Sequence, residues 1–249
     1  MTSLPRTLMV RALSALAAPA DAPFVAAFRG AVSLRLTGEA PEAFRAELDG
    51  RLRQITPDTA RTLVRFDAVR AALDSGTGYK RAVFGERWGE GAGNTAFRWL
   101  TRRAASMDIT TDVMRLPADE QISPHGHRGV VSAMYLLDGE AWFRTWDTIG
   151  DPTVAEVPLR PGLDTRFTPG DVSSSSEGHH NLHWVVGVAP VSYILRFTIT
   201  DVASAKGIRY GREGARCYLD PTAPADPATG LIPGRRITGD ESRTLHRPH

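Results

Sequence analysis

The apolar positions of this chain follow two different periods, and the change between them falls near Met107. In residues 1 to about 75, Ala, Leu and Arg dominate, and apolar residues recur three and four apart, which puts them on one face of a helix. Pro41-Glu42-Ala43-Phe44 sets a proline and an acidic residue where a helix begins. A second start, Thr56-Pro57-Asp58, leads into Leu63, Val64, Phe66, Val69 and Leu73 at helical spacing. Residues 76 to 93 are glycine-rich and polar and predict a connection.

Beyond Met107 the alternation is that of strands, expected at 108–116, 130–137, 140–146, 154–159, 163–168, 181–187 and 191–200, with Gly, Pro or Asp between most of them. The serine run from Ser173 to Ser176 reads as a loop. Short strands at this spacing predict an all-β barrel or sandwich. After Tyr218 the chain turns to Pro, Ala, Asp, Gly and Arg, as in Pro221-Thr222-Ala223-Pro224, too poor in large apolar residues to bury much surface. The expected organisation is a helical N-terminal extension (1–105), a barrel (106–218), and an irregular or disordered tail (219–249) that folding does not need.

Composition narrows the function classes. The 249 residues carry a net charge of +2, and lysine occurs only at Lys80 and Lys206. No basic stripe interleaved with aromatics is present, so a nucleic-acid partner is not expected. No apolar run approaches a membrane span. Cys217 is the only cysteine, which excludes an intrachain disulfide. The N-terminus mimics a leader, with Ala20-Asp21-Ala22 in the place of a cleavage site, but Arg11 interrupts its apolar region. An amphipathic first helix and a cytoplasmic location are the expectation.

The chemistry concentrates in Ser123-Pro124-His125-Gly126-His127-Arg128-Gly129. Two histidines one residue apart on an extended chain point the same way, so their imidazoles can share one metal ion. The stretch Gly178-His179-His180-Asn181-Leu182-His183-Trp184 can supply a third ligand from a neighbouring strand. If it is extended, His179, Asn181 and His183 share one face, and both of those histidines are candidates. His180 falls on the other face and reads as a surface residue. Tyr135, on the strand after the pair, is a candidate hydrogen-bond donor inside the barrel. Arg128, Arg81 and Arg103 are candidate anchors for a carboxylate, because a guanidinium binds carboxylates bidentately.

His125 to Gly139, followed by Phe143-Arg144-Thr145-Trp146-Asp147, resembles the first cupin motif of the thiol dioxygenases, nearest to the plant cysteine oxidase and cysteamine dioxygenase branch. Asn181-Leu182-His183 is similar to that family's Asn-x-His, which favours His183 over His179. Gly211-Arg212 and Arg216-Cys217-Tyr218 are similar to its closing segment. The likeness spans residues 106 to 218 and has departures: Arg128 stands where the family has proline, and Tyr79-Lys80-Arg81 matches the Tyr-x-Arg of the small-molecule cysteine dioxygenases only loosely, lying farther upstream.

The resemblance implies a mainly β cupin jelly-roll barrel with an α-helical N-terminal extension, and iron(II) held by His125, His127 and His183. It implies a reaction of dioxygen with a small-molecule thiol or an N-terminal cysteine peptide, giving a sulfinic acid with no organic cofactor. The common cupin glutamate, seven residues before the closing glycine, is replaced here by Ser132. A metal-dependent cupin of another activity, such as a different dioxygenase, an isomerase or a ligand sensor, is the competing expectation, since jelly rolls host many functions.

Overall fold

A computed structural model describes residues 41–74, 80–83, 109–151, 154–199 and 216–245. Two antiparallel sheets face each other. One runs in the order β1 (Lys80–Val83), β2 (Ile109–Pro117), β9 (Val191–Ile199), β4 (Val131–Asp138), β7 (Val172–Ser175). The other runs β10 (Arg216–Cys217), β3 (Gln121–His127), β8 (Leu182–Gly187), β5 (Ala141–Thr148), β6 (Glu156–Phe167), β12 (Ile232–Arg236), β11 (Leu219–Asp220). Strands that neighbour in space but not in sequence make this a jelly-roll barrel, the expected architecture.

The core forms where the inward residues of the two sheets meet. Met114, Leu116, Met134, Leu136 and Ile194 from the first sheet pack on Ala141, Phe143, Phe167 and Val185 from the second. Phe143 and Phe167 stack with ring centroids 4.0 Å apart. In a strand the intervening residues must point the other way, and on β4 these are Ala133, Tyr135 and Leu137, all buried. What covers them is helical.

Three helices lie in the N-terminal segment: α1 (Pro41–Leu52), α2 (Pro57–Leu63) and α3 (Phe66–Asp74). Thr56 caps α2 by accepting from the Thr59 backbone N–H at 3.3 Å, with Pro57 at the first turn. The helical spacing from Thr56 to Leu73 predicted one helix, but the chain breaks at Arg65, whose φ is 52°. The break turns α3 so that Phe66 meets Tyr193 edge-on at 5.1 Å. Arg61 then reaches the Leu137 carbonyl at 2.9 Å and Asp138 at 3.0 Å, tying the helices to β4. Residues 1–40, where the leader-like segment falls, lie outside the described residues.

Three further expectations need correction. The serine run is β7, not a loop, with Ser173, Ser174 and Ser175 opposite Met134, Ala133 and Ser132. Its hydroxyls find partners on α1: Arg45 Nη1 donates to Ser174 Oγ at 2.9 Å, and Ser176, just beyond the strand, donates to Glu42 at 2.5 Å. A polar strand satisfied by distant side chains leaves no alternation to read. Residues 154–159 and 163–168 are one strand, because an irregularity in the β5 register between Arg144 and Trp146 carries the pairing past Pro161.

The tail is also ordered through residue 245. Strand β12 pairs with β6, Leu219 joins a second apolar cluster with Trp146, Val157, Leu159 and Leu182, and helix α4 (Gly239–Leu245) follows. Ser242 of α4, fully buried, donates to the Pro124 carbonyl at 3.1 Å and so docks on β3. Few apolar residues suffice here because the tail contributes backbone pairing to a strand that already has a core. Truncation after Thr222 is expected to remove roughly 3 kcal/mol or more, a fall of about 10 °C in melting temperature. Thermal unfolding of the shortened chain checks this; an unchanged melting point would restore the dispensable tail.

Candidate metal centre

His125 and His127 come from β3, and His183 lies directly opposite His125 on β8. The register between β3 and β8 shifts between Ile122 and His125, an irregularity that re-aims the end of β3. Ring centroids are 4.8 Å apart for His125 and His127, 4.5 Å for His125 and His183, and 5.3 Å for His127 and His183. One ligand nitrogen from each ring lies within 4.8 Å of the others.

Local contacts hold this geometry. Asn181 is buried; its Oδ1 accepts the His127 backbone N–H at 2.8 Å, and its Nδ2 donates to Thr148 at 3.3 Å. Between the two histidines, Gly126 faces Cys217: a Cβ there would stand 3.0 Å from the Cys217 sulfur and 3.4 Å from two Asn181 oxygens. Only a residue without a side chain lets these groups close on the strand. Cys217 is a buried thiol that packs against Gly126, and burial pushes its pKa up.

The donor set fits a metal cation. His125 Nδ1 lies 2.8 Å from the Ser123 carbonyl, which can only accept, so that nitrogen carries the proton and Nε2 keeps its lone pair. His183 Nδ1 is buried without a hydrogen-bond partner among the described residues, and the neighbouring Asn181 backbone acts in the direction of the charged ring. Burial is the main reason all three rings stay neutral: it holds His125 and His127 well below the usual range and His183 at about 3. The positive charge of Arg216 acts on all three, and that of Arg196 on His127 and His183, in the same direction. Neutral imidazole is the form that binds metal.

Arg196 is a residue that the sequence did not point to. It stands opposite Asp112 across β2 and β9, on the inward face with Met114 and Ile194. Its guanidinium bonds the carboxylate twice, Nη2 to Oδ2 at 2.6 Å and Nε to Oδ1 at 3.1 Å, and Asp112 is fully buried. The available signal was one acidic and one basic residue, each interrupting an apolar strand at an inward position.

Tyr135 does not enter the site: its neighbours Met134 and Leu136 face the barrel, so it faces the helices and donates to the Ile55 carbonyl at 2.8 Å. Burial raises its pKa to about 12. Arg128 is partly buried after β3, and its charge acts on Cys217. Arg81 sits on the edge strand β1 opposite Met114, and its side chain lies outside the described part of the structure, as does Arg103. Tyr218 stands beside the cluster, 6.1 Å from the His125 ring centroid. Ser132 is buried and donates to the Phe197 carbonyl at 3.0 Å, so no carboxylate replaces the missing glutamate there.

His179 does not share a face with His183. His180 adopts a left-handed φ of 46°, and His179 forms an isolated bridge with Ser176, so the segment turns instead of extending. His180 is partly buried and lies with His179 beside Asp147.

Neither a protein-family model nor a curated protein sequence matches this chain. Solved structures similar to it include KdgF from Halomonas sp., 18% identical over 36% of this chain and 67% of that one, with a TM-score of 0.28. A double-stranded β-helix protein from Klebsiella pneumoniae is 16% identical over 36% of this chain and 65% of that one, TM-score 0.28. A cupin superfamily protein from Desulfitobacterium hafniense is 14% identical over 53% of this chain and 87% of that one, TM-score 0.31. These overlaps are partial, and the assignment of the fold rests on the strand order and register described above. No helix among the described residues is long and apolar enough to cross a membrane.

Two outcomes are expected. Replacing His125, His127 or His183 with alanine lowers metal affinity by more than the ~10 to 100-fold typical of groups around a ligand; metal analysis of each purified variant checks it, and full occupancy in His183→Ala would remove His183 from the set. In the metal-free protein, the unfolded chain takes up protons on these rings near pH 6.5 that the folded chain refuses. Stability therefore falls as pH drops below that value, by about 1.4 kcal/mol per pH unit for each ring, until the folded values are reached, about 3 for His183. Urea midpoints at pH 7 and pH 5 for wild type and His183→Gln measure it, with a smaller loss in the variant.

Proposed function

We propose that this protein is an iron(II)-dependent thiol dioxygenase, taking a thiol and dioxygen to a sulfinic acid. The observation supporting this reading is the cluster of three neutral imidazoles with Ser132, not a carboxylate, facing the barrel. Three neutral ligands leave a divalent cation its whole double charge, which favours an anionic thiolate. When bound, iron(II) would lower the thiol pKa and serve as the redox partner of dioxygen.

The chain itself orients and encloses. The Ser123 carbonyl fixes the His125 tautomer and ring direction, and Asn181 holds the strand that carries both first ligands. The apolar barrel packed around Met114, Met134 and Leu136 excludes water, which strengthens charge interactions at the site. Because Asp112 already neutralises Arg196, the anchor for an anionic substrate is assigned to Arg216. It is exposed, its charge reaches all three histidines, and it donates to Tyr218 at 3.4 Å. The atoms balance as one thiol plus one dioxygen giving one sulfinic acid, both oxygens going to sulfur.

Iron-loaded protein is expected to add two oxygen atoms to at least one of cysteine, cysteamine, 3-mercaptopropionate and a Cys-initiated peptide, read by mass spectrometry. If the iron is bound and reduced and none gains oxygen, another metal-dependent activity replaces this reading. Arg216→Gln is expected to raise KM roughly tenfold for the thiols that carry a carboxylate, the loss of a charge-assisted pair, while cysteamine is unaffected.

A further inference from the structure

A second group of ligating side chains lies outside the histidine triad and takes no part in the function proposed above. Asp147 at the end of β5 and His179 and His180 in the turn between β7 and β8 bring one carboxylate oxygen and two imidazole nitrogens within 4.8 Å of one another. All three are partly exposed, so a cation from solution has access. The two imidazoles are stacked with ring centroids 3.8 Å apart, although adjacent residues on an extended chain would point to opposite faces. What brings them together is the left-handed backbone of His180, whose N–H donates to Asp147 Oδ1 at 2.6 Å. A β-carbon at Gly162 would come within 2.9 Å of the His180 Nε2, so a glycine opposite the ring keeps its position open.

We propose that Asp147, His179 and His180 form a second metal site, for a borderline first-row cation such as zinc, cobalt or nickel. Two imidazoles and a single carboxylate select such cations over calcium or magnesium, which prefer all-oxygen shells. The facing charges are mixed: Asp49 of α1 favours positive charge at His180 and Arg45 opposes it, while Asp147 supplies the carboxylate. Water completes the coordination, as partial exposure allows. The cation ties β5 to the turn that immediately precedes Asn181, the side chain that holds His127, so occupancy of this site stiffens the frame of the first.

The test uses the full chain and zinc itself. Wild-type protein is titrated with zinc by calorimetry alongside His125→Ala/His127→Ala, which removes the first site. The doubly substituted chain is expected to retain one zinc equivalent, and wild type two. Adding His179→Gln and His180→Gln abolishes the retained equivalent, weakening it more than ~100-fold, beyond the loss seen on altering groups around a ligand. His246 and His249 are present in every variant, so the difference reports on the turn alone. If the first-site variant does not fold by circular dichroism, His179→Gln/His180→Gln in otherwise wild-type protein decides: two equivalents falling to one supports the site, and unchanged stoichiometry overturns it. Zinc binding that persists at full strength without both turn histidines likewise overturns it, whatever the thiol oxidation assay shows.

Discussion

The histidine cluster depends on the pairing that sets His125 opposite His183 across β3 and β8. Cross-strand neighbours in an antiparallel pair have β-carbons about 5 Å apart, close enough for two imidazoles to converge and for a third, two residues along, to join them. A slip of one residue would turn every one of these side chains to the opposite face. The register is therefore held from several directions at once: by Asn181 on the His127 backbone, by Cys217 closing over Gly126, and by Ser242 on the Pro124 carbonyl.

The supports on the two sheets differ in kind. On the β4 side, helices α1 to α3 bury the outward residues, so that β4 is covered on both faces and reads as a nearly unbroken apolar run. On the β3 side the chain's C-terminal residues do the covering, with little apolar area and more backbone pairing. The metal-ligating strand is consequently braced by the segment whose composition suggested the least order.

Electrostatics inside the barrel follow from burial. Three imidazoles stay neutral because water is excluded, and Arg196 can share that space only because Asp112 neutralises it with two hydrogen bonds. Removing one partner of such a pair leaves an uncompensated buried charge, at a cost of about 3 to 5 kcal/mol. The guanidinium end of the pair still acts on His127 and His183 and favours their neutral state.

The strand alternation after Met107, the helical spacing before it, and the His-x-His pair are local properties, and period two alone placed His125 and His127 on one face. The jelly-roll class and the three-histidine cluster were legible on those grounds together with the family resemblance. What period two could not tell was which face of a strand is inside: Tyr135 and Ser132 differ by three residues, and only the position of the helices sends the first outward and the second inward. The Arg196–Asp112 pair joins residues 84 apart in sequence, so its meaning exists only once β2 and β9 are neighbours. The turn at His179 and His180 is not legible in the sequence, because a left-handed φ at His180, stabilised by Asp147 from another strand, reverses the alternation of an extended chain there. The order of the tail likewise came from β6 and β3, partners that its own composition does not encode. Local periodicity is written in the residues themselves; partners, faces and buried charges are decided when distant strands meet.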